Sequence, residues 1–61
     1  MAANLEGKTI LIVDDDPDVV TAITASLADC GATLETAGDG NTAVRKSEEL
    51  QPDLVILDLM L

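Results

Sequence analysis

Three apolar runs typical of β-strands alternate with two amphipathic stretches along the chain. The first run, residues 8–13, is continuous and β-branched, which predicts a central parallel strand. Residues 32–37 alternate in part and predict an edge strand, where Glu35 discourages further pairing. Residues 54–61 are apolar except for Asp58, and an apolar run of this length predicts a strand buried on both faces.

Both stretches between the strands carry the signals of helices. Asp16 is a favoured N-cap residue, and Pro17 suits the first helical position. Gly31 suits the position after the last turn, so a helix is predicted over residues 17–30. A second helix is predicted over residues 41–50, after a glycine-rich turn. The positions predicted to face inward are Val19, Val20, Ile23, Leu27 and Cys30 in the first helix and Ala43, Val44, Ser47 and Leu50 in the second. The positions of the second helix predicted to face solvent are Arg45, Lys46, Glu48 and Glu49.

The order of elements is β-α-β-α-β, which defines an α/β fold. Each connection between consecutive strands contains a helix, and such crossovers join parallel strands in a right-handed sense. If the two helices cover opposite faces, the strand order is 2-1-3. The carboxyl ends of strands one and three then form a topological switch point, which is where open α/β sheets bind their ligands.

The charge balance excludes some classes of function. Twelve Asp and Glu residues against three Lys and Arg residues give a net charge of -9. Nucleic acids and anionic membranes are bound through basic patches, so we expect neither as a partner. The same acidity is compatible with a cation site. No apolar run approaches the roughly 18 residues of a membrane span, so none is expected.

The amino terminus and the cysteine content indicate a cytoplasmic protein. Residues 1–6 lack the basic and apolar regions of a signal peptide. Cys30 is the single cysteine, so no intramolecular disulfide is possible and a reducing compartment is expected. Its neighbours supply no positive charge that would activate the thiol, and we therefore interpret Cys30 as a buried structural residue.

Three carboxylates are predicted to meet at the switch point. Asp14 and Asp15 follow strand one, and Asp58 lies toward the carboxyl end of strand three. Neighbouring strands are about 4.8 Å apart, and like charges at about 4–5 Å repel by roughly 3–4 kcal/mol per pair at an effective dielectric of about 20. A hard cation offsets this repulsion, and three carboxylates with water suit Mg²⁺. The alternative is that residues 14–16 only cap the helix and Asp58 is a strand-end acid.

These residues resemble the receiver domain of bacterial two-component response regulators, and the resemblance covers nearly the whole chain. The segments that carry it are residues 10–18, Asp39 and Gly40 with Ala43, and residues 52–60. It implies a flavodoxin-like fold, of which this chain forms a truncated βαβαβ half. It implies that Asp58 is the phosphoacceptor, with a sensor histidine kinase or a phosphotransfer protein as partner and no enzymatic turnover. The implied ligands of Mg²⁺ are Asp14, Asp15, Asp58 and the backbone carbonyl of Met60.

The chain departs from the receiver family in its length. A receiver domain has five strands and five helices, so residues 1–61 are expected to form a partial domain whose second half is absent. The family's hydroxyl residue after strand four and its lysine after strand five have no counterpart, and Lys8 lies at the opposite end of the sheet. An uncovered third strand predicts either a homodimer or a partner that supplies the missing half. The homodimer would pair strand three antiparallel with its symmetry mate, in the order 2-1-3-3′-1′-2′.

Other classes of protein share parts of the acidic motif. Asp14 and Asp16 after an apolar strand also resemble the nucleophile motif of haloacid-dehalogenase-type phosphatases, but Asp18 stands where that motif needs a small or apolar residue. An EF-hand loop is excluded because Pro17 and Val19 fall where the loop needs other geometry and a glycine. The remaining alternative is a half-receiver that acts only as an interaction or assembly module and is never phosphorylated.

Overall fold

Three strands and two helices alternate along residues 4–57, which are the part of the chain described by the computed structural model. In chain order they are β1 (Thr9–Val13), α1 (Pro17–Ser26), β2 (Thr33–Ala37), α2 (Gly40–Leu50) and β3 (Leu54–Leu57). Neither helix has the length and apolar character needed to cross a membrane. The predicted β-α-β-α-β order is confirmed, and the fold is that of a truncated flavodoxin-like half.

The strands form one parallel sheet in the order β2-β1-β3, as predicted. The register sets Thr9 beside Thr33 at the amino end of β1, and Val13 beside both Ala37 and Leu57 at its carboxyl end. The central strand is the core of the molecule, since its four positions from Ile10 to Val13 are at most 5% exposed. A continuous apolar run is what a strand with neighbours on both sides requires.

The two helices cover opposite faces of this sheet. Leu11, Val13 and Ala37 form a buried cluster against which Ala43 of α2 packs. Side chains alternate between the faces of a strand, so Asp14, which follows Val13, belongs to the other face. That face carries α1, because Asp14 shares a cleft with Val20. The two helices therefore cover opposite faces, which is the arrangement that the predicted 2-1-3 strand order required.

Helix α1 ends at Ser26, four residues earlier than predicted. The N–H of Leu27 donates to the carbonyls of both Ile23 and Thr24, and the following N–H groups, of Ala28 and Cys30, donate to carbonyls three residues back. The chain thus tightens from α-helical to 3₁₀-type spacing, which is common at helix ends. Three hydroxyls of the helix also bond to its own carbonyls, a competition that weakens helices. These are the hydroxyls of Thr21, Thr24 and Ser26.

The polar segment before β1 is fastened to the loop between α1 and β2. The N–H of Leu5 donates to the carbonyl of Cys30 over 2.8 Å. Gly31 has a φ of +90°, and a Cβ there would lie 3.3 Å from the backbone nitrogen of Glu6, so this crossing needs a glycine. Cys30 itself is half-buried rather than buried, and its Sγ accepts a hydrogen bond from the N–H of Ala32 at 3.5 Å. The predicted burial of this thiol is therefore only partial.

The prediction that the third apolar run is buried on both faces is wrong for β3. Leu54, Val55 and Leu57 are 51%, 45% and 54% exposed. The helices explain this exposure, because α1 packs on β1 and α2 packs on β1 and β2. Residues 58–61, which were predicted to continue the strand, lie outside the described part of the chain. Apolar side chains of β3 are thus available to another surface.

The start of β3 is fixed by a reciprocal pair of hydrogen bonds that the sequence did not reveal. The N–H of Thr9 donates to Oδ2 of Asp53, and the N–H of Asp53 donates to the carbonyl of Thr9, both over 2.9 Å. This pair sits immediately before the first partners of β1 and β3. Asp53 therefore helps to set the register that carries through to the carboxyl edge.

Helix α2 departs from its predicted orientation at three positions. Val44 and Leu50, predicted to face inward, are 60% and 37% exposed. Lys46, predicted to face solvent, is partly buried, and its Nζ donates to the carbonyl of Thr36 over 2.6 Å. The helix ends with Gln51 in the left-handed conformation, where its N–H donates to the carbonyl of Ser47. The helix is therefore rotated toward β2, leaving β3 uncovered.

Candidate functional site at the carboxyl edge of the sheet

Asp14 is a buried carboxylate held between two elements. It directly follows β1 and is 3% exposed. Its backbone N–H donates to the carbonyl of Ala37 at the end of β2, over 3.1 Å. Its Oδ1 accepts the N–H of Asp16 over 2.9 Å, which is a local turn of the Asx type. Backbone and side chain are therefore both fixed before any ligand is considered.

Asp15 is exposed and opens onto the same cleft as Asp14. The cleft has a volume of about 300 Å³ and lies between α1 and the ends of β1 and β2. Its lining residues are Asp14, Asp15, Pro17, Val20, Thr21, Thr36, Ala37 and Gly38. The structure thus brings together the first two of the acids that the sequence predicted.

Asp16 plays the separate role that its position predicts. Its side chain accepts the N–H of Asp18 over 2.9 Å, with extended backbone angles typical of an N-cap. Pro17 occupies the first turn, also as predicted. The acidic run of residues 14–16 therefore divides into two residues that line the cleft and one helix cap.

The third predicted acid, Asp58, follows β3 in the sequence, and β3 pairs with β1. The register ends with Val13 beside Leu57, and the next residues in the sequence are Asp14 and Asp58. Asp58 and Met60 lie outside the described residues. In the sequence, Asp14 and Asp58 thus each come one residue after the last paired residues of β1 and β3.

The donor set of the cleft fits a hard divalent cation. Carboxylate oxygens are the ligands that Mg²⁺ prefers, and Mg²⁺ keeps several waters rather than a full protein cage. A buried carboxylate beside an exposed one in an open cleft offers both a fixed donor and room for such waters. Residues 4–57 contain no group of three potential metal ligands. Two of the four predicted ligands, Asp14 and Asp15, lie in the described cleft.

Asp39 is a residue of this edge whose role sequence reasoning missed. It follows β2, and its side chain caps α2 by accepting the N–H of Thr42 over 2.8 Å and the hydroxyl of Thr42 over 3.1 Å. The N–H of Thr42, then its hydroxyl, hold the pKa of the Asp39 carboxyl below its ordinary value of 3.8. The available signal was an aspartate just before a helical stretch, which the turn composition of residues 38–41 obscured.

Comparison with known proteins gives consistent matches. The sequence matches the Response regulator receiver domain family over residues 10–61. It is 44% identical over 54 residues to the alkaline phosphatase synthesis transcriptional regulatory protein PhoP of Bacillus subtilis, covering 88% of this chain and 22% of the relative. It is 48% identical over 54 residues to the DNA-binding response regulator MtrA of Mycolicibacterium smegmatis, covering 88% and 24%. It is 40% identical over 53 residues to the probable transcriptional regulatory protein TcrX of Mycobacterium tuberculosis, covering 87% and 23%.

A parallel 2-1-3 sheet with one helix on each face defines an α/β domain of the flavodoxin-like type. The family match extends over most of the chain, and the chain belongs to the response regulator receiver domain family. The resemblance drawn from the sequence is therefore confirmed. The chain spans less than a quarter of the length of the relatives named above.

The pH dependence of stability should report the Asp39 cap. A carboxyl whose pKa is lowered by folding stabilises the folded state above its unfolded value of 3.8, and this contribution is lost as the pH falls toward the folded value. We expect the wild type to unfold at a higher temperature than Asp39→Asn at about pH 6, with the difference shrinking toward about pH 2. Circular dichroism melting curves measure this.

The matched control for the cap is Asp29→Asn, since Asp29 is an exposed acid of the turn after α1. Its melting temperature should follow the wild type at each pH. A difference between wild type and Asp39→Asn that stays constant throughout the acid range would contradict the expectation.

Proposed function

We propose that the chain is a phosphoacceptor receiver module of two-component signal transduction. In this proposal Asp58 takes a phosphoryl group from a histidine kinase or a phosphotransfer protein, with Mg²⁺ held by Asp14, Asp15, Asp58 and the Met60 carbonyl. The observation that carries it is the position of Asp14 and Asp15 at the carboxyl edge of the sheet, beside the end of β3, whose last residue, Leu57, immediately precedes Asp58 in the sequence. Family membership supports the same assignment.

The chemistry requires a carboxylate nucleophile and relief of charge repulsion. A carboxylate oxygen of Asp58 attacks the phosphorus of a phosphohistidine and forms an acyl phosphate. The nitrogen–phosphorus bond breaks, its electron pair stays with the imidazole, and that ring takes up a proton. Mg²⁺, when bound, offsets the negative charge of the carboxylates and the phosphoryl oxygens. The module is modified once per phosphoryl group, so we propose no enzymatic turnover.

Asp14 and Asp15 contribute to this chemistry by position. The Asp14 backbone is fixed to β2 and its Oδ1 to the loop, so this carboxylate needs little reorganisation when a cation arrives. Asp15 remains exposed and can exchange water for a ligand. A pre-organised donor beside an accessible one is a suitable arrangement for a cation that retains part of its water shell.

Two of the relatives are described by name as transcriptional regulators, and one as a DNA-binding response regulator. We propose that residues 1–61 do not themselves supply DNA binding. Twelve acids against three basic residues produce a repulsive field toward phosphates, whereas DNA affinity depends on Lys and Arg contacts. The same composition supports a cytoplasmic location without membrane contact.

Mg²⁺ binding tests the cation site. Titration with MgCl₂, followed by amide NMR, should shift the signals of residues 14–16 with saturation. Asp15→Asn should weaken binding about tenfold, or about 1.4 kcal/mol, because it removes one charged donor. Asp29→Asn changes the net charge equally and should bind as the wild type. Shifts scattered along the chain without a focus at residues 14–16 would refute the site.

Phosphoryl transfer tests the nucleophile. Treatment with acetyl phosphate and Mg²⁺ should add the mass of one phosphoryl group, because a small donor needs only the nucleophile and the cation. Asp58→Ala should abolish the addition, and Asp29→Ala should retain it. Intact-protein mass spectrometry under non-acidic conditions measures both. Equal labelling of the Asp58→Ala variant would remove Asp58 from its proposed role.

A second candidate function is an interaction or assembly module, and the exposure of β3 favours it. A groove of about 360 Å³ runs between α2 and β3. Its lining residues are Leu11, Val13, Ala43, Val44, Ser47, Glu48, Val55 and Leu57. No element among residues 4–57 covers this groove, and exposed apolar patches of this kind mark interaction sites. We propose that a homodimer through β3, or a partner that supplies the remainder of a receiver domain, buries it.

Sedimentation equilibrium at micromolar concentration tests the assembly. We expect a mass of about twice 6.3 kDa, since pairing through β3 satisfies its outer edge and covers its apolar side chains. Leu57→Lys should shift the chain toward monomer by placing a charge in the apolar seam. Ala28→Lys, on the exposed turn after α1, adds the same charge and should leave the chain dimeric. A folded monomer of 6.3 kDa for the wild type would contradict the homodimer.

A further inference from the structure

Lys46, which was predicted to face solvent, contacts the backbone of β2. Its Nζ donates to the backbone carbonyl of Thr36 over 2.6 Å and lies 3.9 Å from a carboxylate oxygen of Glu35. Long side chains of a helix point back toward its amino terminus, so the stem of Lys46 reaches the carboxyl end of β2. An ammonium–carbonyl hydrogen bond is charge-assisted and stronger than a neutral one.

The last two carbonyls of β2 are held from opposite sides. In a strand, consecutive carbonyls point to opposite edges. The carbonyl of Thr36 points away from β1 and accepts Lys46, whereas the carbonyl of Ala37 points toward β1 and accepts the N–H of Asp14 over 3.1 Å. The end of this edge strand is therefore clamped between a side chain of α2 and the first residue after β1.

This clamp leads directly to the candidate cation site. From the Lys46 ammonium the path runs through the carbonyl of Thr36, one peptide unit, and the carbonyl of Ala37 to the backbone of Asp14. The carboxylate of Asp14 is in turn fixed by the N–H of Asp16. Thr36 and Ala37 also line the cleft into which Asp14 and Asp15 open. A shift of the end of β2 would thus move both the wall of the cleft and one of its donors.

We propose that Lys46 is a positioning residue for the cation site, acting through the end of β2 rather than by touching the ligand. The inference rests on the proposed function, since it assigns Lys46 to the same Mg²⁺ site. Lysine suits the task because its flexible stem delivers a compact charge to a single carbonyl. Glu35 supports the ammonium from the same strand but is not part of the path to Asp14.

The sign of the effect on Mg²⁺ affinity separates positioning from plain electrostatics. Removing a positive charge from an acidic protein strengthens the attraction for a cation, so a purely electrostatic role predicts tighter binding for Lys46→Met. Positioning predicts weaker binding, by about threefold for loss of one hydrogen bond of modest net strength. Arg45→Met is the matched control, because it removes the same charge from the neighbouring position, and its affinity should equal or exceed that of the wild type.

The experiment is an NMR titration of the full chain with MgCl₂, combined with amide hydrogen exchange in the absence of metal. Lys46→Met should bind Mg²⁺ more weakly and speed the exchange of the Asp14 amide, while the Thr33 amide at the opposite end of β2 exchanges as in the wild type. Glu35→Gln, which keeps the carbonyl contact of Lys46, should leave the exchange of the Asp14 amide as in the wild type. If Lys46→Met does not fold, Lys46→Arg decides, with a partial loss of affinity expected.

Unchanged or tighter Mg²⁺ binding by a folded Lys46 variant, with unchanged exchange at Asp14, would overturn the inference. Failure of the wild type to bind Mg²⁺ at residues 14–16 is a different result and overturns the proposed cation site. In that case the exchange rate of the Asp14 amide still decides whether Lys46 positions this residue.

Discussion

Parallel pairing of β1 with both of its neighbours is the constraint on which the rest of the structure depends. It buries residues 10–13 almost completely and leaves the helices to cover one face each. It also brings the ends of all three strands to one edge, where Asp14 receives its backbone partner from β2. A slip of one residue in either register would reverse the faces of a neighbouring strand and separate the groups at this edge.

Three of the four described acids at this edge accept a backbone N–H with their side chains, namely Asp14, Asp16 and Asp39. Asp16 and Asp39 cap the two helices, where the helix dipole favours negative charge. Asp14 is anchored by the end of β2 and by its own loop, whereas Asp15 faces solvent. The acids of this edge are thus divided between two helix caps and one cleft.

Most of the fold could be predicted because its signals are local. Asp16 and Pro17 mark a helix start, a continuous apolar run marks the central strand, and alternating elements require a parallel sheet. The position of Asp14 and Asp15 at the carboxyl edge of the sheet could be predicted on the same basis. The earlier end of α1 could not be predicted; it is accompanied by competing hydroxyl bonds within the helix and by the hydrogen bonds of residues 4–8 to the following loop. Neither effect leaves a periodic pattern in the sequence.

The sequence by itself determined the order of the elements, the position of the acids at strand ends and the membership of the receiver family. Only the tertiary structure decided which apolar residues are buried. An apolar side chain favours burial, but whether it is buried depends on which other elements pack against it. Val55 and Leu57 are as apolar as Leu11 and Val13, yet only the latter two lie beneath a helix. The same holds for Lys46. Its contact with Thr36 exists because α2 packs against β1 and β2, and this orientation of the helix depends on tertiary packing.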